Sequence, residues 1–369
     1  MIAKNKLCIL GVFVTLTIVG CDAGKKESVG LGNGVITEAK VDSEISIEMN
    51  NCTADGDIQY ICEVYNAEDL LSLGDTGMIL TSGMSAGEIG AHLYLINPQD
   101  NSAVDLVSAD SFSLAQDVKA YPDCPGPLNI DAFSPHGLSL HEYEEKHFNL
   151  YTTSHGEREA VEMFNVDLSG SEPSLTWRGC VPLPSTAFSN GVVRLSDGGF
   201  VATQMMDTSK GFGGDMAGLV FEWHPGGEVS IIEGSEINGA NGIAVSEDER
   251  YMYVVAFGSR EIVKFDRSTQ PMGKEVVSVD IVPDNLHWGL NGKLVTAGGN
   301  HVPEDVCSGP ECASGWSVLE IDPETMEVRK IGSADQNVTL QGISSALQVG
   351  DEIWVGTFNG DRIAHFPRQ

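Results

Sequence analysis

Apolar and polar positions alternate in short runs along most of the chain, and turns rich in Gly, Asp and Ser separate the runs. The clearest stretch is residues 241–266, where a polar residue precedes a short alternating run, the segment YMYVVAF and a third run that ends IVKFD. A period of two predicts β-strands, and the Gly and acidic residues between the runs predict tight turns. The stretch therefore predicts three strands of an up-and-down sheet.

The same order of features occurs in five further units. Each unit begins with a polar residue, and the next predicted strand follows after about ten residues, the length of one short strand and a tight turn. The polar openers of the six units are Glu68, His136, Asn190, Asn241, Asp284 with Asn285, and Gln341. Repeated small sheets bury their faces only against their neighbours, so the pattern predicts an all-β fold, a six-bladed β-propeller.

The shared register of the openers predicts a functional site. The first strand of each blade lines the central channel, so the six openers are expected to converge at one end of it. Unpaired buried amides and carboxylates would each cost about 2 kcal/mol or more, so a ligand must satisfy them. The predicted ligands supply carboxylate and amide oxygens, which suit Ca²⁺: Glu68, Asn190, Asn241, Asp284 and Asn285.

Two of the openers have a simpler interpretation when they are taken alone. Asn190-Gly191 and Asn241-Gly242 are Asn-Gly pairs, and Asn-Gly is the strongest short turn signal. The register that they share with the other openers favours the metal site.

The first 20 residues predict a signal peptide, because an apolar run too short to cross a membrane follows two lysines. The run ends in IVGC and resembles a bacterial lipobox, which predicts an exported lipoprotein anchored through Cys21 on the periplasmic or cell-surface side. An ordinary signal peptide with an incidental cysteine is the alternative. Residues 21–50 are predicted to be a polar tether. Within this segment, residues 36–49 alternate between apolar and polar positions, so they are either a strand that closes the ring or simply linker. Residues 51–369 are predicted to form the propeller.

The formal net charge of −32 limits the class of partner. Such a surface excludes nucleic acid and is repelled by anionic membranes, so membrane attachment must come from the lipid. No linker divides the propeller region, and a monomer is expected.

Six cysteines follow Cys21, and an even number in an oxidising compartment predicts disulfides. Cys307 and Cys312 lie in the Gly-Pro turn CSGPEC, which predicts a local bridge. The pairing of the other four stays open. Residues 83–87 (GMSAG) match a nucleophile elbow, but a strand pattern rather than a helix follows, which argues against a catalytic Ser85.

Residues 62–366 resemble the paraoxonase (serum arylesterase) group within the gluconolactonase and senescence-marker-protein superfamily. The resemblance rests, in this order, on NAEDLLSLGDTGMILTSG, SPHGLSLHEYEEKHFNLYTTSHGEREAVEMF, NGANGIAVSEDERYMYVVAFGSREIVKFD, PDNL and VTLQGISSALQVGDEIWVGTF. It implies a six-bladed propeller with a catalytic calcium at the top of the channel. Its ligands, a Glu, two Asn and an Asp-Asn pair, fall on Glu68, Asn190, Asn241, Asp284 and Asn285.

The resemblance also implies a reaction, the hydrolysis of lactones and aryl esters. Ca²⁺ would polarise the carbonyl oxygen. The family's PHG histidine falls on His136 and its second histidine on His155, and this pair would activate the attacking water. The alternative is a non-catalytic, lipid-anchored binding module whose calcium is structural. The two histidines favour the enzyme, because a structural site needs no imidazole pair at its mouth.

Three departures from the family pattern are visible. A second, structural calcium would need an Asp beside each of two ligands, and here Asp69 is present but Gly191 replaces the other. No cysteine lies near Gln369, so the family's disulfide between the terminal regions cannot form in the same way. Residues 301–316 are longer than their family counterpart and are expected to reshape the pocket rim.

Overall fold

The computed structural model of the chain describes residues 52–86, 89–211, 216–301, 315–335 and 339–369. These residues form six mostly antiparallel sheets arranged as a β-propeller, as the alternation predicted. Helical structure in the described ranges is limited to single 3-10 turns at Gly74–Thr76, Ile130–Ala132, Thr208–Lys210 and Leu290–Gly292. None of the described residues form a helix long and apolar enough to cross a membrane.

The strands follow the chain blade by blade. An initial strand, β1, spans Gln59–Cys62. Blade one contains β2 (Ala67–Ser72), β3 (Ile79–Gly83), β4 (His92–Asn97) and β5 (Ser102–Asp105). Blade two contains β6 (Phe112–Leu114), β7 (Ser134–Glu144), β8 (His147–His155), β9 (Ala160–Asp167) and β10 (Ser174–Pro182). Blade three contains β11 (Ala187–Arg194), β12 (Phe200–Asp207), β13 (Ala217–Trp223), β14 (Ser230–Ile231) and β15 (Ile237–Asn238).

The remaining blades have four strands each. Blade four contains β16 (Ala240–Val245), β17 (Tyr251–Ala256), β18 (Glu261–Asp266) and β19 (Gly273–Ser278). Blade five contains β20 (Ile281–Trp288), β21 (Leu294–Asn300), β22 (Trp316–Ile321) and β23 (Val328–Ala334). Blade six contains β24 (Ile343–Val349), β25 (Glu352–Thr357) and β26 (Arg362–Pro367), with β1 as its fourth strand. The inner strands are therefore β2, β7, β11, β16, β20 and β24.

Blade six closes the ring with strands from both ends of the described chain. β1 pairs antiparallel with β26, so that Gln59 lies opposite His365 and Cys62 lies opposite Arg362. The outermost place in this sheet therefore belongs to β1. The candidate ring-closing segment, residues 36–49, lies outside the described residues.

The core consists of apolar clusters between neighbouring sheets rather than one central core. Trp177, Trp316 and Trp354 are fully buried in blades two, five and six. Side chains on both faces of a blade therefore contact a neighbour, which explains why the sequence shows short, strongly apolar strands.

Two disulfides resolve the pairing of four cysteines. Cys52 bonds to Cys62, and Cys124 bonds to Cys180. The second bridge fastens the long connection before β7 to the strand β10, on the side of blade two that carries His155. The predicted bridge between Cys307 and Cys312 lies outside the described residues, as does the predicted lipid site at Cys21.

Candidate metal centre and histidine relay

Every inner strand is interrupted by a β-bulge, and five of the six predicted openers lie in one. In blade one, Ala67 pairs with Gly83 and Leu70 pairs with Thr81, so two residues face one residue of β3. The two-against-one positions in blades one to five are Glu68–Asp69, His136–Gly137, Asn190–Gly191, Asn241–Gly242 and Asp284–Asn285. A bulge re-aims its side chains, and here it brings polar groups from five blades together at one end of the channel.

In blades one, two and three, a hydroxyl group on the second strand holds the bulge in place. The backbone N–H of Asp69 donates to Ser82 Oγ at 3.1 Å, and that of Gly191 donates to Thr203 Oγ1 at 2.8 Å. Thr203 in turn donates to the carbonyl oxygen of Asn241 at 2.6 Å. Buried backbone groups that leave the ladder thus keep partners. Serine or threonine at this position of the second strand was a signal that the sequence reading missed.

Glycines at the second bulge position permit close approach between inner strands. A Cβ on Gly137 would lie 2.4 Å from the carbonyl oxygen of Asn190, and one on Gly242 would lie 2.4 Å from the backbone N of Leu286. The Asn-Gly pairs therefore lie within β11 and β16, and the interpretation of these pairs as tight turns is wrong.

The predicted metal ligands are all buried at this end of the channel. Glu68 is fully buried, and its Oε1 accepts a hydrogen bond of 2.7 Å from Asn285 Nδ2, which also contacts the Glu68 carbonyl oxygen at 3.1 Å. Burial, and next the charge of Asp69, raise the pKa of the Glu68 carboxyl group well above its ordinary value. Burial, and next the charge of Glu68, do the same to the pKa of Asp284. Two carboxyl groups so placed need a cation to remain ionised.

Four oxygen atoms of this cluster are buried and have no hydrogen-bond partner. They are Glu68 Oε2, Asn190 Oδ1, Asn241 Oδ1 and Asp284 Oδ1. Each such atom costs about 1–3 kcal/mol if it stays unsatisfied, and buried polar groups are rarely left so. No group of three His, Cys, Asp or Glu side chains in the described ranges could hold a metal. A mixed set of carboxylate and amide oxygens is nevertheless the ligand chemistry that suits calcium, so these residues fit the predicted ion.

Gln341 does not belong to this cluster, and the prediction that it converges with the other openers is wrong. It is exposed and lies two residues before β24. The bulge of blade six falls instead at Ser344, between Ile343 and Ser345, and the Ser344 hydroxyl donates to the Glu68 carbonyl oxygen at 2.6 Å. The bulge register, which the sequence pattern did not show, decides which residue faces the channel.

His136 and His155 form a direct contact beside the oxygen cluster. His136 Nδ1 lies 2.8 Å from His155 Nε2, and His136 Nε2 lies 3.1 Å from both Glu68 Oε1 and Asn190 Nδ2. Burial lowers the pKa of both histidines. The Phe188 ring stacks on the His155 ring with centroids 4.3 Å apart. The pair is therefore held rigidly, and one imidazole nitrogen faces the oxygen cluster.

A third residue, Glu159, extends the contact away from the channel. Its Oε1 lies 2.7 Å from His155 Nδ1, and its Oε2 accepts hydrogen bonds from the N–H and the hydroxyl of Ser189 at 3.2 and 2.9 Å. Ser189 directly precedes Asn190, so this carboxylate joins the histidine pair to a predicted metal ligand. Only its place four residues after His155 could have suggested this role from the sequence.

Asp69 has protein partners for both carboxylate oxygens. Oδ1 accepts from the Leu70 N–H at 2.9 Å and contacts His287 Nε2 at 2.5 Å, and Oδ2 accepts from the Leu138 N–H at 2.8 Å. A side chain at Gly191 would begin 3.0 Å from the Asn241 carbonyl oxygen. The residues at these two positions therefore do not fit a second calcium ion.

Ser85 lies apart from this arrangement. Its side chain is exposed, and the next element along the chain is β4 rather than a helix. The geometry of a nucleophile elbow is absent from this part of the described chain.

The chain is similar to a known protein family. The family model described as SMP-30/Gluconolactonase/LRE-like region matches residues 150–340. A search of curated proteins finds no significant match.

Two solved structures illustrate the structural likeness. A luciferin-regenerating enzyme aligns with 14% sequence identity over 84% of this chain and 94% of its own, at a TM-score of 0.52. Regucalcin from Agrobacterium tumefaciens strain C58, described as a calcium-binding protein, aligns with 10% identity over 83% of this chain and 91% of its own, at a TM-score of 0.51. At these identities the likeness shows the shared fold.

Proposed function

The chain belongs to the SMP-30/gluconolactonase/LRE-like family, and on that premise we propose that it is a calcium-dependent hydrolase of lactones or carboxylic (aryl) esters. The contact that carries the proposal is that of His136 Nε2 with the oxygen cluster, 3.1 Å from Glu68 Oε1. A metal that only stabilised the fold would not require a buried imidazole pair at this position. Bound calcium would polarise the substrate carbonyl and stabilise the developing oxyanion.

The chain's own residues supply the proton transfer. Glu159 accepts a hydrogen bond from His155 Nδ1–H, so the proton of the neutral ring stays on Nδ1 and His155 Nε2 carries a lone pair. His136 Nδ1–H then donates to that lone pair, and His136 Nε2 is left unprotonated and facing the oxygen cluster. An imidazole in this tautomer is ready to take a proton from water. The lowered pKa of both rings keeps them neutral near pH 7.

Residues of the oxygen cluster are proposed to hold the ion. Glu68 and Asp284 supply negative charge, and Asn190, Asn241 and Asn285 supply amide groups, as the chemistry of the four unsatisfied oxygens suggests. Family membership at the level of lactonase-like proteins supports the reaction class. The preference for lactones or aryl esters is part of the proposal.

The experiment that tests the function is a hydrolysis assay on the protein that lacks the signal peptide. A panel of small lactones and aryl esters is assayed with calcium and again after chelation with EGTA. We expect turnover of at least one class with calcium, its loss in EGTA and its return when calcium is added back. Calcium binding without hydrolysis of any compound would overturn the proposal of an enzyme and favour the alternative, a non-catalytic propeller with a structural calcium.

Glu159 is proposed as a positioning residue, and Glu159→Gln should lower kcat on the order of 10²-fold. Ser189 N–H must donate to one side of the introduced amide, so the amide NH₂ would face His155 Nδ1 and impose the opposite tautomer on the relay. KM and calcium affinity should stay nearly unchanged, because Glu159 does not contact the oxygen cluster. Steady-state kinetics and calcium titration check both.

Ser189→Ala is the matched control for Glu159→Gln. It removes one hydrogen bond to Glu159 Oε2 but keeps the contact of Glu159 with His155. Its kcat should fall much less. Equal losses in the two variants would show that Glu159 only fastens β11 and has no part in setting the tautomer.

Membrane attachment through Cys21 is a separate proposal that rests on the lipobox-like IVGC. Cys21→Ser should block lipidation, so the protein should move from the membrane fraction to the soluble export fraction or stay unprocessed. Cell fractionation with immunodetection measures this. An unchanged membrane fraction would contradict the lipid anchor.

A further inference from the structure

A cavity lies at the end of the inner strands opposite to the oxygen cluster. The bulges fall near the beginnings of these strands, whereas this cavity of about 300 Å³ is lined by residues at or near their ends, including Ser72, His141, Arg194, Val245 and Trp288. Five of the six inner strands contribute to it, so it lies on the propeller axis. We call it the lower cavity. Its volume is at the lower limit of small-molecule sites.

The lower cavity and the oxygen cluster lie on opposite sides of the pair formed by His287 and Asp69. His287 lines the cavity, and its Nε2 contacts Asp69, the neighbour of Glu68. Asp69 is 1% exposed. A molecule in the lower cavity therefore reaches neither His136 nor the predicted metal ligands, and the chemistry of the cavity can be considered by itself.

The lining of the lower cavity carries positive charge in a strongly acidic chain. None of the described residues that line it is Asp or Glu, although the chain has 53 acidic and 21 basic residues. Arg194 contributes the charge of the lining. A cavity without carboxylates on such a protein is a selective place for an anion, because repulsion from the rest of the surface is screened within about 8 Å at physiological ionic strength.

No carboxylate in the described ranges neutralises Arg194. Seven of the nine arginines form salt bridges, but Arg194 forms none. Its Nη1 donates to the Leu195 carbonyl oxygen at 2.9 Å, its guanidinium also hydrogen-bonds to the Tyr151 hydroxyl, and its Nε is buried without a hydrogen-bond partner. Burial, and next the charge of Arg194, lower the pKa of His141. An arginine whose charge no carboxylate neutralises is suited to an anionic carboxylate ligand.

An aromatic surface stands in the same cavity. Trp288 is 39% exposed, which is unusual for so large an apolar side chain. Its Nε1 donates to the Val245 carbonyl oxygen at 2.8 Å, and its ring meets Tyr253 edge-on with centroids 5.7 Å apart. The indole is thus fixed before any ligand arrives, which reduces the entropy cost of binding. Aliphatic side chains such as Leu71 and Val193 complete the wall.

We propose that the lower cavity binds a small aromatic carboxylate, with Arg194 holding the carboxylate and Trp288 contacting the ring. The charge and the exposed indole belong to different strands, β11 and β20, and face the same space. An inorganic anion would contact only Arg194 in this way, and a neutral aromatic compound would contact only Trp288. Binding here is independent of the proposed hydrolysis.

The test is a titration of the calcium-loaded protein with benzoate, with inorganic phosphate and with benzyl alcohol, followed by calorimetry and by tryptophan fluorescence. Benzoate should bind more tightly than either of the other two, and its affinity should persist in EGTA. Arg194→Gln should weaken benzoate binding on the order of 10-fold or more, as expected for a charge-assisted hydrogen bond. Arg194→Lys, which keeps the charge, should lose less.

Lys330→Gln is the matched control, because it changes the net charge equally at an exposed position of β23. It should leave benzoate affinity unchanged. If Arg194→Gln folds poorly, as circular dichroism would reveal, Trp288→Leu replaces it and should weaken benzoate but not phosphate. Three results would each overturn the proposal: no benzoate binding, equal binding by the Arg194 variants and the wild type, or loss of benzoate binding in EGTA.

Discussion

Replacing His136 with glutamine should reduce kcat by about 10²–10⁴-fold, the range expected when a general base is lost. The expectation follows from the position of His136 Nε2 between the relay and the oxygen cluster. The imidazole is proposed to contact the attacking water and not the ion. Calcium affinity and the melting temperature should therefore stay nearly unchanged. Steady-state kinetics, calcium titration and thermal unfolding on the same preparation separate these effects.

The control for His136→Gln is His147→Gln, which removes a histidine from the start of β8 in the same blade. His147 is partly exposed and contacts the Glu145 carbonyl oxygen and Asp167, outside the relay. Its kcat should match that of the wild type. Loss of calcium by His136→Gln would place His136 among the metal ligands, and full lactonase activity would leave the relay without a catalytic role.

Removing calcium should lower the free energy of unfolding by about 4 kcal/mol when the ion had been present at 1,000 times its Kd. The four buried oxygens without partners explain why the folded protein should bind the ion and the unfolded chain should not. Asn241→Ala deletes one of these oxygens and should weaken calcium binding and reduce the stabilisation. Urea unfolding in calcium and in EGTA measures the difference for each variant.

Gln341→Ala is the matched control for Asn241→Ala. Both residues open predicted repeat units, but only Asn241 is buried in a bulge of its inner strand, and Gln341 is exposed before β24. Calcium affinity should be unchanged in Gln341→Ala. If the two variants lost calcium equally, or if EGTA left the unfolding curve of the wild type in place, the oxygen cluster would not be the metal site.

The blades could be predicted from the sequence because their signal is local. Alternation of apolar and polar residues within units such as residues 241–266 depends on burial of each sheet against its neighbours. The approach of Glu68 and Asn285 could also be predicted, since repeats place equivalent positions around one axis.

Features set by backbone register could not be predicted. One extra residue in each inner strand decides which side chain enters the channel, and this is why Ser344 rather than Gln341 takes the place in blade six. Glu159 and Ser189 meet across two blades, and nothing in either segment alone indicates the contact. The partners of Cys52 and Cys124 likewise depend on distances between parts of the chain that only the fold brings together.

The pairing of β1 with β26 has a consequence for how the ring opens. In blade six, β24, β25 and β26 follow one another along the chain. β1 comes from the other end of the described chain and joins this sheet through hydrogen bonds to β26. Amide hydrogen exchange should therefore report an opening in which β1 leaves as a unit and exposes the edge of β26. Cys62, at the end of β1, forms a disulfide with Cys52, and both cysteines lie on the same side of this junction. Protection of β26 amides would then measure the free energy of opening the ring. The residues of the oxygen cluster come from blades one, three, four and five, so saturation of the cluster with calcium should slow that exchange.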